Sequence, residues 1–95
     1  MEEMTFRILY ERGVVKDDIP RLSKMDGERV RAAIENKLTT APEVFGKPLR
    51  RSLKGYRALR VGDFRIVFRI QEHTVKILLI AHRSVVYERY QERFG

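Results

Sequence analysis

The chain has 95 residues, 43% of them hydrophobic and 35% charged, which is enough for one compact core and too little for two. It has no cysteine, which excludes a disulfide framework, a redox pair and a thiolate metal site, and its longest strongly apolar run, residues 77–81, is far below the roughly 20 residues of a membrane-spanning helix. The formal net charge of +7 is concentrated: residues 47–69 hold eight Lys/Arg and one acid, Asp63, while the other twelve bases and twelve acids cancel. A surface charged in this directed way suits a polyanion, most simply nucleic acid.

The acidic start, Met1-Glu2-Glu3-Met4, lacks the basic and apolar stretches of a secretory signal, so a cytoplasmic location is expected. Residues 6–10 alternate with β-branched and aromatic content and predict a first strand, closed by Gly13. Asp17 and Asp18 precede Pro20 as capping carboxylates, and Val15, Ile19 and Leu22 share a helical face, which predicts a short helix ending near Asp26-Gly27. Asp26 is expected to cap a second helix whose apolar positions Val30, Ala33, Ile34 and Leu38 recur at helical spacing up to Thr39-Thr40. Residues 41–55 are basic and broken by Pro and Gly, as in a loop or short irregular strand. Three strands follow at 56–61, 64–70 and 75–82, and gaps of two and four residues require an antiparallel meander. Tyr87, Tyr90 and Phe94 fit a short closing helix. The fold class is therefore α+β: an N-terminal strand, a helical hairpin, a three-stranded antiparallel meander packed on the helices, and a short C-terminal helix.

With Gly62-Asp63 as a two-residue turn, Arg60 faces Arg65 across the hairpin. Side-chain parity then sorts Leu59, Val61, Phe64, Ile66, Phe68, Ile70, Val75, Ile77, Leu79 and Ala81 to a core face. The other face receives Tyr56, Ala58, Arg60, Arg65, Val67, Arg69, Lys76, Leu78, Ile80 and His82. Like charges directly opposite each other are destabilising, so Arg60 and Arg65 call for an anion. Parity brings His82 onto the arginine face and not Arg83, unless a bulge intervenes. It sends Arg57 to the core face, at its rim. His73 and His82, nine positions apart, make a poor metal site, and no cofactor is expected. The arginines interleave with strand residues instead of lining a helix, which argues against a membrane partner.

Residues 47–49, the run 53–68 that contains LRVGDFRIVF, and HRSVVY at 82–87 together resemble the RelE/ParE superfamily of bacterial and archaeal toxins. The resemblance covers nearly the whole chain and implies a single RelE-like toxin domain, residues 1–95. It implies a ribosome-dependent mRNA endoribonuclease, restrained by a cognate antitoxin, in which the ribose 2′-hydroxyl attacks the adjacent phosphate without a metal. Arg65 then stabilises the phosphorane, Arg60 binds phosphate or assists the nucleophile, Arg83 stands near the leaving oxygen and Tyr87 stacks on the nucleotide. A lysine that some relatives use for acid–base work is replaced here by Arg60, another basic position of the family is Ala58, and His82, with an ordinary pKa of about 6.5, is the substitute acid–base group. Lys47, Arg50, Arg51, Lys54 and Arg57 are expected to contact RNA backbone. Two other readings stay open: a ParE-like inhibitor of DNA gyrase that cleaves nothing, and a non-catalytic RNA-binding module.

Overall fold

The computed structural model describes residues 5–49 and 55–95. Its elements, in chain order, are β1 (Arg7–Tyr10), a wide π-helical turn (Val14–Asp18) running into a 3-10 turn (Ile19–Arg21), and α1 (Lys24–Ala33), which is prolonged by a second π turn (Ile34–Leu38). Then come α2 (Pro42–Phe45), β2 (Lys47–Pro48), β3 (Arg57–Val61), β4 (Phe64–Gln71), β5 (Thr74–His82) and α3 (Val86–Phe94). The fold is α+β, as expected, but the sheet has five strands in the order β1-β5-β4-β3-β2. The meander forms its middle. β1 pairs parallel to β5, a geometry that the long helical crossover permits, and β2 joins the far edge antiparallel to β3.

The helical hairpin differs from the sequence expectation in its details. Ser23, not Asp26, caps α1: its hydroxyl accepts from the Asp26 backbone N–H at 3.0 Å. In the first helical segment the inward residues are Val14 and Asp18, while Val15 and Ile19 are exposed. Asp18 is accordingly a buried carboxylate, only 3% exposed, and not a cap.

The hairpin of β3 and β4 has the expected register, with Val61 opposite Phe64, Arg60 opposite Arg65 and Leu59 opposite Ile66. Of its two turn residues only Gly62 has a positive φ, 58°, as glycine at the first position of a type II′ turn requires. The next hairpin is tighter than expected: Gln71 pairs with Thr74, leaving Glu72 and His73 to turn the chain.

One irregularity reorders the faces. Between β4 and β5, Phe68 lies opposite Ile77 but Val67 lies opposite Leu79, so Leu78 is an extra residue, a β-bulge. Beyond it every side chain of β5 changes sides. Ile80 joins Val14, Val30, Ile34, Leu38, Leu59, Ile66, Phe68, Val75 and Ile77 in the main core under the helices. Leu79 and Ala81 move to the arginine face, where they pack with Val67, Val86 and Tyr90 beneath α3.

Candidate functional site

The arginine face carries a cleft of about 310 Å³ lined by Lys47, Leu49, Ala58, Arg60, Arg65, Val67, Arg83, Val86, Tyr87 and Tyr90. Three strands and one helix build it. The register opposes Lys47 to Ala58, Ala58 to Val67 and Arg60 to Arg65, so these side chains share one face. Ala58 is short and leaves the floor low between them. α3 forms the wall, with Val86 and Tyr90 buried against the sheet and Tyr87, 64% exposed, at the mouth.

Backbone carbonyls of the hairpin hold two of these arginines, one by its guanidinium and one by its main chain. Arg65 Nη1 donates to the carbonyls of Gly62 and Phe64, both at 3.0 Å, which folds the guanidinium over its own turn. The Arg83 backbone N–H donates to the Asp63 carbonyl at 2.7 Å, fastening the end of β5 to the hairpin tip. That tip therefore carries Arg60, Arg65 and Arg83 together. The cleft has four cationic side chains, and no carboxylate among the described residues that line it. In such a setting an anion is attracted with little competition from internal ion pairs. Guanidinium forks match phosphate oxygens, and fixed ones need no rearrangement as charge develops. Burial, and secondarily the neighbouring Tyr56 phenol, pushes the Tyr90 phenol above its ordinary 10.0, so Tyr90 stays protonated and neutral.

The site residues expected from sequence divide three ways. Lys47, Arg60, Arg65, Arg83 and Tyr87 come together. His82 and Arg57 do not. The bulge at Leu78 turns His82 to the opposite face, opposite Phe64 and edge-on to its ring at 5.8 Å. There its Nδ1 accepts the Ser84 backbone N–H at 3.1 Å and lies 2.8 Å from the Ser84 hydroxyl. The same shift carries Arg83 onto the arginine face in its place. Arg57 points to the helical side, as parity requires, and donates to the carbonyls of Gly46 at 2.7 Å and Glu43 at 3.2 Å. It ties down the chain after α2 and does not reach the cleft. Arg50, Arg51 and Lys54 lie outside the described residues.

Tyr90, Val86 and Leu49 are cleft residues that the sequence did not single out. The helical interval between Tyr87 and Tyr90 was the available signal, but it does not tell which tyrosine is wall and which is rim. The place of Lys47 was equally hidden, since a two-residue strand has no periodicity to read.

Comparison with known proteins yields one family and several relatives. The family described as ParE toxin of type II toxin-antitoxin system, parDE, matches residues 15–87. A protein named Toxin RelE from Mycobacterium tuberculosis is 44% identical over 52 residues, covering 53% of this chain and 54% of that protein. Toxin RelG from the same organism is 46% identical over 54 residues, covering 55% of this chain and 62% of its own length. The chain thus spans little more than half the length of these curated relatives. Among solved structures, the toxin–antitoxin complex RelBE2 from Mycobacterium tuberculosis contains a chain with a TM-score of 0.77 and 30% identity, covering 83% of this chain and 99% of that one.

Proposed function

This chain belongs to the RelE/ParE toxin superfamily of type II toxin–antitoxin systems, and from that premise we propose that residues 1–95 act as one RelE-like toxin domain, an endoribonuclease that cuts mRNA on the ribosome. The observation that carries this reading is the cleft itself, with Lys47, Arg60, Arg65 and Arg83 around a short floor and Tyr87 at the mouth. A dense cationic cleft with a stacking ring at its edge fits a phosphodiester and the base beside it.

In the reaction, the ribose 2′-oxygen bonds to the adjacent phosphorus and the bond from phosphorus to the 5′-oxygen breaks. The products are a 2′,3′-cyclic phosphate and a 5′-hydroxyl. Arg65 and Arg60 neutralise the non-bridging oxygens as negative charge accumulates, and Arg83 lies against the departing oxygen, which takes its proton from solvent. Arginine, with a pKa above about 12, is a poor base near neutrality. Lys47 also lines the cleft and, as an ammonium with donors and no acceptor, donates to a phosphate oxygen, while the attacking hydroxyl gives its proton to solvent water. Lys47 stands across the strand pair from Ala58, on the same face, and so supplies a positive charge beside a position that is basic in the family. Tyr87 orients the nucleotide. A cognate antitoxin with an acidic segment would neutralise the cleft by occupying it.

The test is to incubate the chain with programmed ribosomes and with naked RNA, mapping new 3′ ends. Cleavage on ribosomes that leaves cyclic phosphate and disappears in Arg65→Ala is the expected result. The matched family description belongs to the ParE branch and favours a second reading, inhibition of DNA gyrase without cleavage. Intact mRNA from a folded chain whose expression damages DNA would replace the first reading with the second.

A further inference from the structure

At the open edge of β5, away from the cleft, an ion pair with a buried carboxylate closes the strand. β1 covers that edge only as far as Ile77. Past it, the Ile80 backbone N–H donates to Asp18 Oδ2 at 2.9 Å, and Arg93 Nη1 donates to the Leu78 carbonyl at 3.0 Å. The two side chains meet there: Arg93 Nη1 to Asp18 Oδ2 and Nη2 to Asp18 Oδ1, both at 2.8 Å, a two-pronged guanidinium–carboxylate pair. Asp18 and Arg93 together take up the hydrogen bonds that a longer β1 would otherwise supply at the bulge.

Their positions in the chain give the pair a reach beyond the edge. Asp18 belongs to the helical layer under one face, and Arg93 to α3, which covers the other. Val86, Tyr90 and Arg93 fall at i, i+4 and i+7, one stripe of α3. Val86 and Tyr90 rest on Val67, Leu79 and Ala81, and Arg93 continues the stripe over the strand edge. The apolar part of that seat is small, and the ion pair is its far anchor. The passage left for Arg93 is narrow. A Cβ on Gly13 would sit 2.8 Å from Arg93 Cζ and Nε, so glycine at 13 is what lets the guanidinium through.

We infer that the Asp18–Arg93 pair is a positioning device for the candidate site: it fixes the tilt of α3 and thereby holds Tyr87 and Tyr90 as the aromatic wall of the arginine cleft. The inference rests on the reading of the cleft as a nucleic-acid site only in its last step, from wall to ligand. Neither residue touches the cleft, and both act through the helix.

Two measurements on the whole chain separate the pair's role from that of the cleft. Hydrogen exchange in Arg93→Ala, and in Asp18→Asn as an independent variant, is expected to quicken at the α3 amides by about tenfold or more while β4 stays protected, as for a locally loosened helix on an intact sheet. Unchanged α3 exchange in both folded variants overturns the proposal. The second measurement is the affinity for a fluorescein-labelled single-stranded RNA oligonucleotide in a double-mutant cycle of Arg93→Ala with Tyr87→Ala. Equal losses that do not add support action through Tyr87, and partial recovery in Arg93→Lys supports it further. Additive losses overturn it. If Tyr87→Ala and Arg60→Ala bind this RNA as the parent does, the nucleic-acid reading of the cleft falls, and hydrogen exchange alone decides for or against the pair's hold on α3.

Discussion

Arg57 and Arg60 lie on the same strand, separated by an odd interval, and so serve opposite sides of the sheet. Arg60 faces the cleft, whereas the Arg57 guanidinium is held by the Gly46 and Glu43 carbonyls. Arg57→Ala is therefore expected to lower stability by about 1.5–3 kcal/mol, the range for a lost hydrogen bond to a charged group, while the salt dependence of RNA binding stays as it was. Thermal unfolding and binding titrations on the same variant check both halves. The converse holds for His82, whose ring sits against Phe64 on the face away from the cleft. His82→Ala should leave RNA affinity and cleavage at the parent level, and a collapse of cleavage without loss of fold would return the histidine to the site. Arg57 had come forward from the basic segment, and His82 from side-chain parity and the family resemblance. Charge type is visible in a sequence, but the direction in which a side chain points depends on register.

Among the elements, α3 has a pH dependence of its own. The Tyr90 phenol is buried and raised above 10.0, so between 10.0 and its folded value the folded chain keeps a proton that the unfolded chain has released. The resulting stability is fully present below about pH 10 and is lost as pH rises through the folded value. Alkaline unfolding should begin near pH 10, and Tyr90→Phe, which keeps the ring contacts with Tyr56 and Phe94, should flatten that slope. The β4–β5 turn makes a second element-scale prediction. Glu72 has φ 56°, a left-handed conformation that costs a residue with a Cβ about 1–2 kcal/mol. Asparagine tolerates it better. Glu72→Asn should raise stability by about 0.5–1 kcal/mol, read as an upward shift in denaturation midpoint.

At the scale of the whole molecule, the net charge of +7 and the four cations of the cleft set the ionic response. If each cation meets one phosphate, the logarithm of RNA affinity should fall against the logarithm of salt with a slope of about −3, and Arg60→Ala should reduce its steepness by about 0.7. A slope unchanged in that variant would take Arg60 off the phosphate path. The family-level architecture was legible beforehand because short antiparallel hairpins are local objects: the Gly62-Asp63 turn alone fixes Arg60 opposite Arg65. The alternation in β4 likewise told its two faces apart. By itself the sequence determined the meander, the concentration of positive charge along it, and the pairing of two arginines at its tip, since turn chemistry and side-chain period act over a few residues. Only the tertiary structure decided that Leu78 is a bulge, so that Arg83 replaces His82 on the cleft face, that Lys47 comes to stand beside Ala58, and that Asp18 meets Arg93. These are contacts between segments far apart in the chain, or a slip of one residue in register, and nothing in local propensity encodes either.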